Sequence, residues 1–339
     1  MNRAGAGIGH NAHFYGWLGV KVALQDFADF IPHIAIADGR ALGAGRWESE
    51  AREALNSHGA VLLRGPVLRD DGVEVALEVI SDELLDDAFW STPRSKVGGK
   101  TLTATEYPSP RTIQLHSEMA YMKVWPRYVA FHSLIVADEG GQTTICDIEK
   151  VSADLGDALL KPFAEKGIQY RRTFQRGVDI PWQTAFQTED KADVLEVAAR
   201  NGMSVEWLDG DALVTTHNAQ GTFRAEDGRN IWFSQAHLFH ESALDPEAKE
   251  KVIKVFGRDR LPRQAFFGDG SAIPDADLIA VRQAFEANQT GMHWQPGDVL
   301  ILDNMRYAHG RMPFKGSRKL HVAMAQAEST PERSPLPLD

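Results

Sequence analysis

The chain has 339 residues, enough for one large catalytic domain or two small ones. Its formal net charge of −11 opposes general binding to nucleic acid or to an anionic membrane, so neither partner is expected. A single cysteine, Cys146, excludes an intrachain disulfide framework and a zinc site built from several thiolates, and it fits the expected location, a reducing cytoplasm.

The first residues predict neither a membrane span nor a secretory signal. The apolar run at residues 14–20 ends at Lys21, whereas a membrane span needs roughly 20 apolar residues. Residues 1–13 are rich in Gly, Ala and Asn, so we expect a loose tail there. No internal repeat or long low-complexity linker follows, and we expect one catalytic domain over residues 1–339.

Strand patterns dominate the first half of the chain. Residues 59–65 form an apolar run bounded by glycines, which predicts a buried strand, and the spacing of apolar residues over 70–85 predicts a helix. Residues 128–136 are apolar and β-branched, which again predicts a strand. A Gly-Gly turn at 140–141 separates this strand from a returning strand at residues 143–148.

The middle of the chain mixes helices with strands, and its end returns to strands. Helices are predicted at residues 188–200, 245–257 and 274–288, and strands at 212–216, 230–234, 297–303 and 319–325. Thr188 is expected to cap the first of these helices. The order of elements indicates a mainly β protein with inserted helices, a barrel or jelly roll that carries an insertion at about residues 167–289.

Three residues form a candidate metal site. His116 and Glu118 stand two positions apart in a predicted strand, so both side chains point to one side and can reach one ion. His309, in the segment 303–311, is the best candidate for a third ligand. Two histidines and one carboxylate leave positions open on the metal and are the mark of non-haem Fe(II) oxygenases, although zinc in a hydrolase also accepts this set.

Two further residues suit a cosubstrate with a distal carboxylate, such as 2-oxoglutarate. Arg318 enters the last predicted strand, and its guanidinium offers a bidentate fork that the neighbouring Lys319 lacks. Thr143 follows the Gly-Gly turn, and its hydroxyl can add one hydrogen bond to the same carboxylate. A zinc hydrolase would explain the metal ligands but would leave Thr143 and Arg318 without a purpose.

Six motifs along the chain carry a family resemblance. They are GAVLLRG at residues 59–65, TATEYP at 103–108, LHSE at 115–118, WPRY at 125–128, GGQT at 140–143 and DNMRYAHGR at 303–311. With them the chain resembles the taurine dioxygenase-like (TauD/TfdA) superfamily over about residues 45–327. It is most similar to the branch of SyrP-like hydroxylases, with clavaminate synthase and asparagine oxygenase as more distant relatives. Glu118, where Asp is commoner, fits the clavaminate synthase side, whereas the turn between His309 and Arg318 is shorter than in several relatives.

The resemblance implies a double-stranded β-helix and an Fe(II)-dependent dioxygenase. Iron would be held by His116, Glu118 and His309, and 2-oxoglutarate by Thr143 and Arg318. Such an enzyme uses O2 to hydroxylate an unactivated C–H bond while 2-oxoglutarate is decarboxylated to succinate. Desaturation or ring closure is an alternative outcome within the family. A rival from another class is a catalytically silent barrel that binds or senses a small molecule, and the complete set of five residues speaks against it.

The expected substrate is an amino-acid-like molecule of specialised metabolism, such as antibiotic biosynthesis, either free or held on a peptide-synthetase carrier domain. Thr105 and Glu106 lie ten or more residues before His116, in a stretch where the family places substrate contacts. Glu106 is expected either to accept hydrogen bonds from a substrate ammonium or to be an acid of a surface loop. Arg224, in the insertion, is a candidate for a substrate carboxylate. The insertion itself is expected to act as the substrate lid.

Three further histidines and the cysteine are expected to have structural rather than catalytic roles. His237 and His240 stand three positions apart, like a second metal pair, but no third ligand is near them in sequence. Packing, hydrogen bonding or a place in the pocket wall is expected for both. His132 lies in an apolar predicted strand and is expected in the core. Cys146 is expected to be a small buried hydrophobe rather than a nucleophile.

Overall fold

The computed structural model describes residues 24–35, 47–65, 72–85, 95–105 and 107–329. The predicted N-terminal tail and Glu106 lie outside these ranges. The described helices are α1 (Trp47–His58), α2 (Gly72–Glu78), α3 (Ile148–Lys166), α4 (Trp182–Phe186), α5 (Lys191–Arg200), α6 (Ala236–Phe239), α7 (Pro246–Phe256) and α8 (Asp275–Ala287).

The described strands divide into an early, a middle and a late set. The early strands are β1 (His33–Ala35), β2 (Ala60–Arg64), β3 (Lys96–Gly98), β4 (Thr101–Thr103), β5 (Ile113–His116), β6 (Val124–Ile135), β7 (Glu139–Gly140) and β8 (Thr143–Asp147). The middle strands are β9 (Ile168–Phe174), β10 (Ser204–Leu208), β11 (Ala212–Ala219), β12 (Thr222–Arg224), β13 (Asn230–Trp232) and β14 (Arg263–Phe267). The late strands are β15 (Gln289–Met292), β16 (Val299–Asp303), β17 (Tyr307–Arg311), β18 (Phe314–Lys315) and β19 (Lys319–Ser329).

Two sheets face each other across an apolar core. The larger has seven strands in the order β1-β2-β16-β6-β19-β4-β3, and the smaller has four in the order β15-β8-β17-β5. Alternate side chains of the larger sheet, such as Leu62, Phe131 and Leu300, pack with Ile145 and Met292 of the smaller sheet. Every second side chain of these strands therefore enters the space between the sheets.

The outer face of the larger sheet is covered by α1 and α2. Val61, Ile301 and Ala323 pack on that side with Leu55 of α1 and Leu77 of α2. The central strands are therefore buried on both faces. This explains why β2 reads as a continuous apolar run rather than as an alternating pattern.

Helix α3 and the insertion at about residues 167–289, which together join β8 to β15, build a second packed region. Its strands form an antiparallel sheet in the order β10-β11-β9-β14, and α8 leads the chain back to the smaller sheet through β15. Its core is rich in buried aromatic side chains, among them Phe163, Tyr170, Phe174, Trp232 and Phe267. The protein is thus mostly β with helices, as predicted, and none of its described helices is long and apolar enough to cross a membrane.

The seven strands predicted by residue range and the two later helices are confirmed, while other details are wrong. The helix predicted over 70–85 ends at Glu78. The cap of α5 is Asp190, whose side chain accepts a hydrogen bond from the Ala192 amide at 2.8 Å, rather than Thr188. Helix α3 has no counterpart among the predicted elements because Gly156, with a φ of 71°, interrupts the helical pattern inside it.

Candidate metal centre and adjoining cleft

The three predicted metal ligands meet between the two sheets. His116 ends β5, and His309 lies opposite it in β17 as its register partner, with ring centroids 4.7 Å apart. The distance from His309 Nε2 to Glu118 Oε2 is 3.5 Å. One ligand atom from each residue lies within 4.8 Å of the others, and no other group of described residues meets this condition.

The orientation and chemistry of these side chains suit one divalent ion. His116 Nδ1 lies 2.8 Å from the Gln114 carbonyl oxygen, so Nδ1 carries the proton and Nε2 is left to bind. Glu118 and His309 are each 5% exposed. A buried carboxylate such as that of Glu118 is costly in free energy unless a cation lies beside it. Two imidazoles and one carboxylate form the donor set that Fe(II) oxygenases use, so the residues present fit that ion.

The local structure of Glu118 differs from the prediction. Strand β5 ends at His116, and Glu118 begins a turn, so strand alternation does not bring the two side chains together. Met119 adopts a left-handed conformation with a φ of 54°, which residues with a side chain rarely adopt. The approach of Glu118 to the histidines therefore depends on contacts that hold this turn.

Asn304 supplies one of those contacts. Its Oδ1 accepts a hydrogen bond from the Glu118 amide at 2.7 Å, and its Nδ2 donates to the carbonyls of Glu118 and Pro126, each at 2.9 Å. Asn304 is 1% exposed and lies in the loop between β16 and β17. The residue falls inside the motif at 303–311, but that motif pointed only to His309.

A cationic end of the cleft lies at the start of β8 and β19. Arg318 Nε donates to the Gly141 carbonyl at 3.0 Å, and Arg318 Nη2 lies 3.4 Å from Thr143 Oγ1. Trp294 Nε1 donates to the same hydroxyl oxygen at 3.0 Å. Burial, and then the nearby Arg311, lower the pKa of Arg318 to about 10, so the guanidinium stays charged at neutral pH. Lys319 is exposed.

Arg311 adds a second buried guanidinium. It donates to the carbonyls of Tyr107, Pro108 and Arg111 over 2.8–3.1 Å. Burial lowers its pKa to about 10, and its side chain also lines the cleft. Arg311 thus holds the loop before β5 in place, and Arg311 and Arg318 bring two positive charges to the cleft that contains the candidate metal ligands.

The cleft has about 450 Å³ of empty space, part of it open to solvent. Its walls contain all three candidate metal ligands, both cosubstrate candidates and Thr105. Glu106 lies outside the described residues. Arg224 is exposed at the end of β12 and is not among the residues that line the cleft, so the structure does not bring it together with the other predicted site residues.

The other histidines make hydrogen bonds instead of a second metal group. His237 Nε2 donates to the Leu115 carbonyl at 2.9 Å, and burial lowers the pKa of His237 to about 3. His240 Nδ1 accepts from the Ser242 amide. Neither belongs to a group of described residues that could hold a metal. His132 is buried in β6, as predicted.

The prediction that Cys146 is buried is also confirmed. Cys146 is buried in β8, and burial raises the pKa of its thiol above the usual range. A thiol that stays protonated in an apolar setting packs as a small hydrophobe.

Sequence comparison places the chain among known proteins. The family described as "Taurine catabolism dioxygenase TauD, TfdA family" matches residues 28–324. The dapdiamide synthesis protein DdaC of Enterobacter agglomerans is 37% identical over 274 residues, which cover 80% of this chain and 83% of that protein. A clavaminate synthase-like protein of Arabidopsis thaliana is 28% identical over 286 residues, with the same coverage of 80% and 83%.

Solved structures agree at the level of the fold. An asparagine oxygenase in complex with Fe(II), (2S,3S)-3-hydroxyasparagine and succinate has a TM-score of 0.50 at 14% identity, over 83% of this chain and 78% of that one. PvcB of Pseudomonas aeruginosa has a TM-score of 0.50 at 15% identity, over 92% and 94%. The family match spans most of the chain, and the ligand set agrees with it: the chain belongs to the TauD/TfdA family of Fe(II)- and 2-oxoglutarate-dependent dioxygenases.

Proposed function

We propose that the protein hydroxylates an unactivated C–H bond of an amino-acid-like substrate. One oxygen atom of O2 enters the product, and the other enters the succinate formed as 2-oxoglutarate loses CO2. The observation that carries the proposal is the two-ended cleft, with three metal ligands at one end and Arg318 with Thr143 at the other. Bound Fe(II) supplies the oxidative chemistry, while the protein orients the reactants and limits access of water.

The roles of the individual residues follow from this arrangement. His116, Glu118 and His309 hold the iron, and the two facing sheets correspond to a double-stranded β-helix, the jelly roll of this family. Arg318 and Thr143 bind the distal carboxylate of 2-oxoglutarate. Trp294 and Arg318 both donate toward the Thr143 oxygen, so the hydroxyl proton is left to point toward that carboxylate.

An amino-acid-like substrate is supported by the relatives and by the cleft. The relative at 37% identity is a dapdiamide synthesis protein, and the asparagine oxygenase structure contains a hydroxylated amino acid. Thr105 lines the cleft and can donate or accept a hydrogen bond to a bound substrate. Glu106, next in sequence, remains the candidate for a substrate ammonium.

The experiment offers a panel of amino acids to the iron-loaded enzyme with 2-oxoglutarate and O2, and measures succinate and oxygenated product by mass spectrometry. We expect equal amounts of succinate and hydroxylated product for the natural substrate. His309→Ala is the inactive control. If no succinate forms with any metal or substrate, a catalytically silent binding module is favoured. If the substrate is hydrolysed when zinc is the only added metal, a zinc hydrolase is favoured.

We further propose that the substrate is presented by a carrier domain as a thioester. The motivation is the similarity to SyrP-like hydroxylases. One amino acid is tested in two forms, free and loaded on its carrier, and faster turnover of the loaded form is expected. Efficient turnover of the free amino acid and none of the loaded form would reject the carrier while leaving the hydroxylase assignment intact.

The insertion at about residues 167–289 is proposed as the substrate lid. If it closes, its amides should gain protection from hydrogen exchange when substrate joins iron and 2-oxoglutarate. Equal protection with and without substrate would identify a rigid insert instead.

A further inference from the structure

The segment that carries His116 and Glu118 is held by side chains from the insertion. Four of them each donate one hydrogen bond to a main-chain carbonyl of residues 115–121, over 2.7–2.9 Å: Gln235 to Ser117, His237 to Leu115, Gln220 to Ala120 and His217 to Tyr121. Carbonyl groups of an irregular segment need such partners when they are buried, because water cannot reach them.

One peptide of this segment is held from both sides. The carbonyl of Ser117 accepts from Gln235 Nε2, and the amide of Glu118, in the same peptide plane, donates to Asn304 Oδ1. Gln235 belongs to the insertion, and Asn304 belongs to the loop between the core strands β16 and β17. Rotation of this plane would break both bonds and would swing the Glu118 side chain away from the two histidines.

The donors from the insertion are themselves fixed. The main-chain amide of Gln235 donates to the Tyr170 hydroxyl at 2.9 Å. The ring of His237 stacks on Phe285 at a centroid distance of 4.9 Å, and the His237 carbonyl accepts from Arg282 at 2.8 Å. Gln235 and His237 are 5% and 1% exposed. Because these donors are held in place, the position of the insertion helps to determine the position of residues 115–121.

We propose that Gln235 is a positioning residue of the metal centre, which fixes the Ser117–Glu118 peptide so that the Glu118 carboxylate faces the histidines. The proposal rests on the metal role proposed above for His116, Glu118 and His309. It makes the insertion a part of the support of the metal site rather than only a cover over it. Residues that hydrogen-bond to metal-ligand side chains are worth about 10- to 100-fold in metal affinity in other metalloproteins, and Gln235, which acts on the main chain next to Glu118, is expected at the lower end of that range.

The test measures binding of Co(II) to the full-length, metal-free protein by calorimetry and by visible absorption. Gln235→Met keeps the length of the side chain and removes the donor. We expect Co(II) affinity to fall about tenfold and the Co(II) absorption spectrum to change, because the carboxylate ligand is less well oriented.

The matched control is Ser152→Ala. Ser152 is buried in α3, and its hydroxyl accepts from the Trp232 amide at 2.8 Å, so the change removes a comparable bond of the packed inserted region without touching residues 115–121. We expect Ser152→Ala to lower the melting temperature and to leave Co(II) affinity and spectrum unchanged.

Wild-type Co(II) affinity and spectrum in Gln235→Met, with only a lower melting temperature, would show a merely structural role and overturn the proposal. If Gln235→Met does not fold, Gln235→Asn carries the same comparison, since its amide falls about 1.5 Å short of the carbonyl. Glu118→Ala distinguishes a failure of the proposed metal centre from a failure of the positioning role of Gln235. Unchanged Co(II) binding in that variant would reject the metal centre itself, whereas weakened binding there and normal binding in the Gln235 variants would reject only the positioning role.

Discussion

The two ends of the cleft are built in different ways. At the metal end, the turn that carries Glu118 is held by Asn304 and Gln235, which come from distant parts of the chain. At the cationic end, Arg311 and Arg318 reach main-chain carbonyls of the loops that border the cleft. One end depends on tertiary contacts around an irregular turn, and the other depends on two long side chains with fixed charge.

The difference fits what each end is proposed to bind, a metal ion at one end and the distal carboxylate of 2-oxoglutarate at the other. Coordination bonds need ligand atoms at defined distances, so a small rotation of one peptide weakens the site. A carboxylate is attracted by a guanidinium over a longer range, and the flexible arginine stem absorbs small shifts. Burial and the nearby Arg311 lower the pKa of Arg318, and the negative charge of an incoming carboxylate would raise that pKa again. The metal end is therefore limited by geometry and the cationic end by charge.

The largest expected effect comes from removing a metal ligand. His116→Ala, Glu118→Ala and His309→Ala are each expected to fold and to lose succinate formation by more than about 100-fold, beyond the loss that an outer-shell partner causes. Iron content and succinate are measured together. His240→Gln changes a buried histidine away from the ligand group and is expected to keep full activity. A ligand variant with normal turnover and iron content would remove that residue from the site.

Removing the charge at the other end should act on the cosubstrate alone. Arg318→Ala loses at least one charge-assisted hydrogen bond worth about 1.5–3 kcal/mol, so the 2-oxoglutarate requirement is expected to rise by at least roughly 10- to 150-fold. The matched control is Lys319→Ala, since Lys319 is a neighbouring but exposed cation. A change in the requirement for the primary substrate instead would place 2-oxoglutarate elsewhere, with Arg311, which also lines the cleft, as the next candidate.

A smaller effect is expected from the neighbour that orients Thr143. Trp294→Phe removes one neutral hydrogen bond, worth about 1 kcal/mol, and should raise the 2-oxoglutarate requirement roughly fivefold. Trp182→Phe is the control, because the Trp182 indole is buried in the insertion and its N–H meets no acceptor among the described residues. Equal behaviour of the two variants would mean that the hydroxyl of Thr143 needs no orientation.

The last prediction concerns the effect of acid on stability rather than on activity. Burial lowers the pKa of His237 to about 3, while an unfolded chain has a histidine pKa of about 6.5. Above pH 6.5 the ring is neutral in both states. As the pH falls below 6.5, only the unfolded chain takes up the proton, so stability is lost by at most about 1.4 kcal/mol per pH unit. Urea unfolding at pH 7 and 5.5 measures the loss, which should be smaller in His237→Gln. Equal losses would show that His237 does not titrate as stated.

Local patterns in the sequence determined much of this protein. The apolar runs at 60–63 and 299–302 become the buried parts of central strands, because a strand buried on both faces favours apolar residues at successive positions. Four of the site residues, His116, Glu118, Thr143 and His309, stand in short motifs, and Arg318 stands at the start of a predicted strand. The structure brings all five to one cleft. These features are local in sequence, so a short window contains the information that predicts them.

Tertiary structure alone decided which residues support the site. Glu118 lies beyond the end of β5, so its direction depends on Asn304 and Gln235 rather than on strand alternation. Arg224 has a suitable charge for a substrate carboxylate, yet the insertion leaves it exposed on β12. A main-chain carbonyl can accept a hydrogen bond from many kinds of side chain, at any separation along the chain. Such a bond therefore leaves no pattern in the sequence and exists only once the insertion has packed against the core.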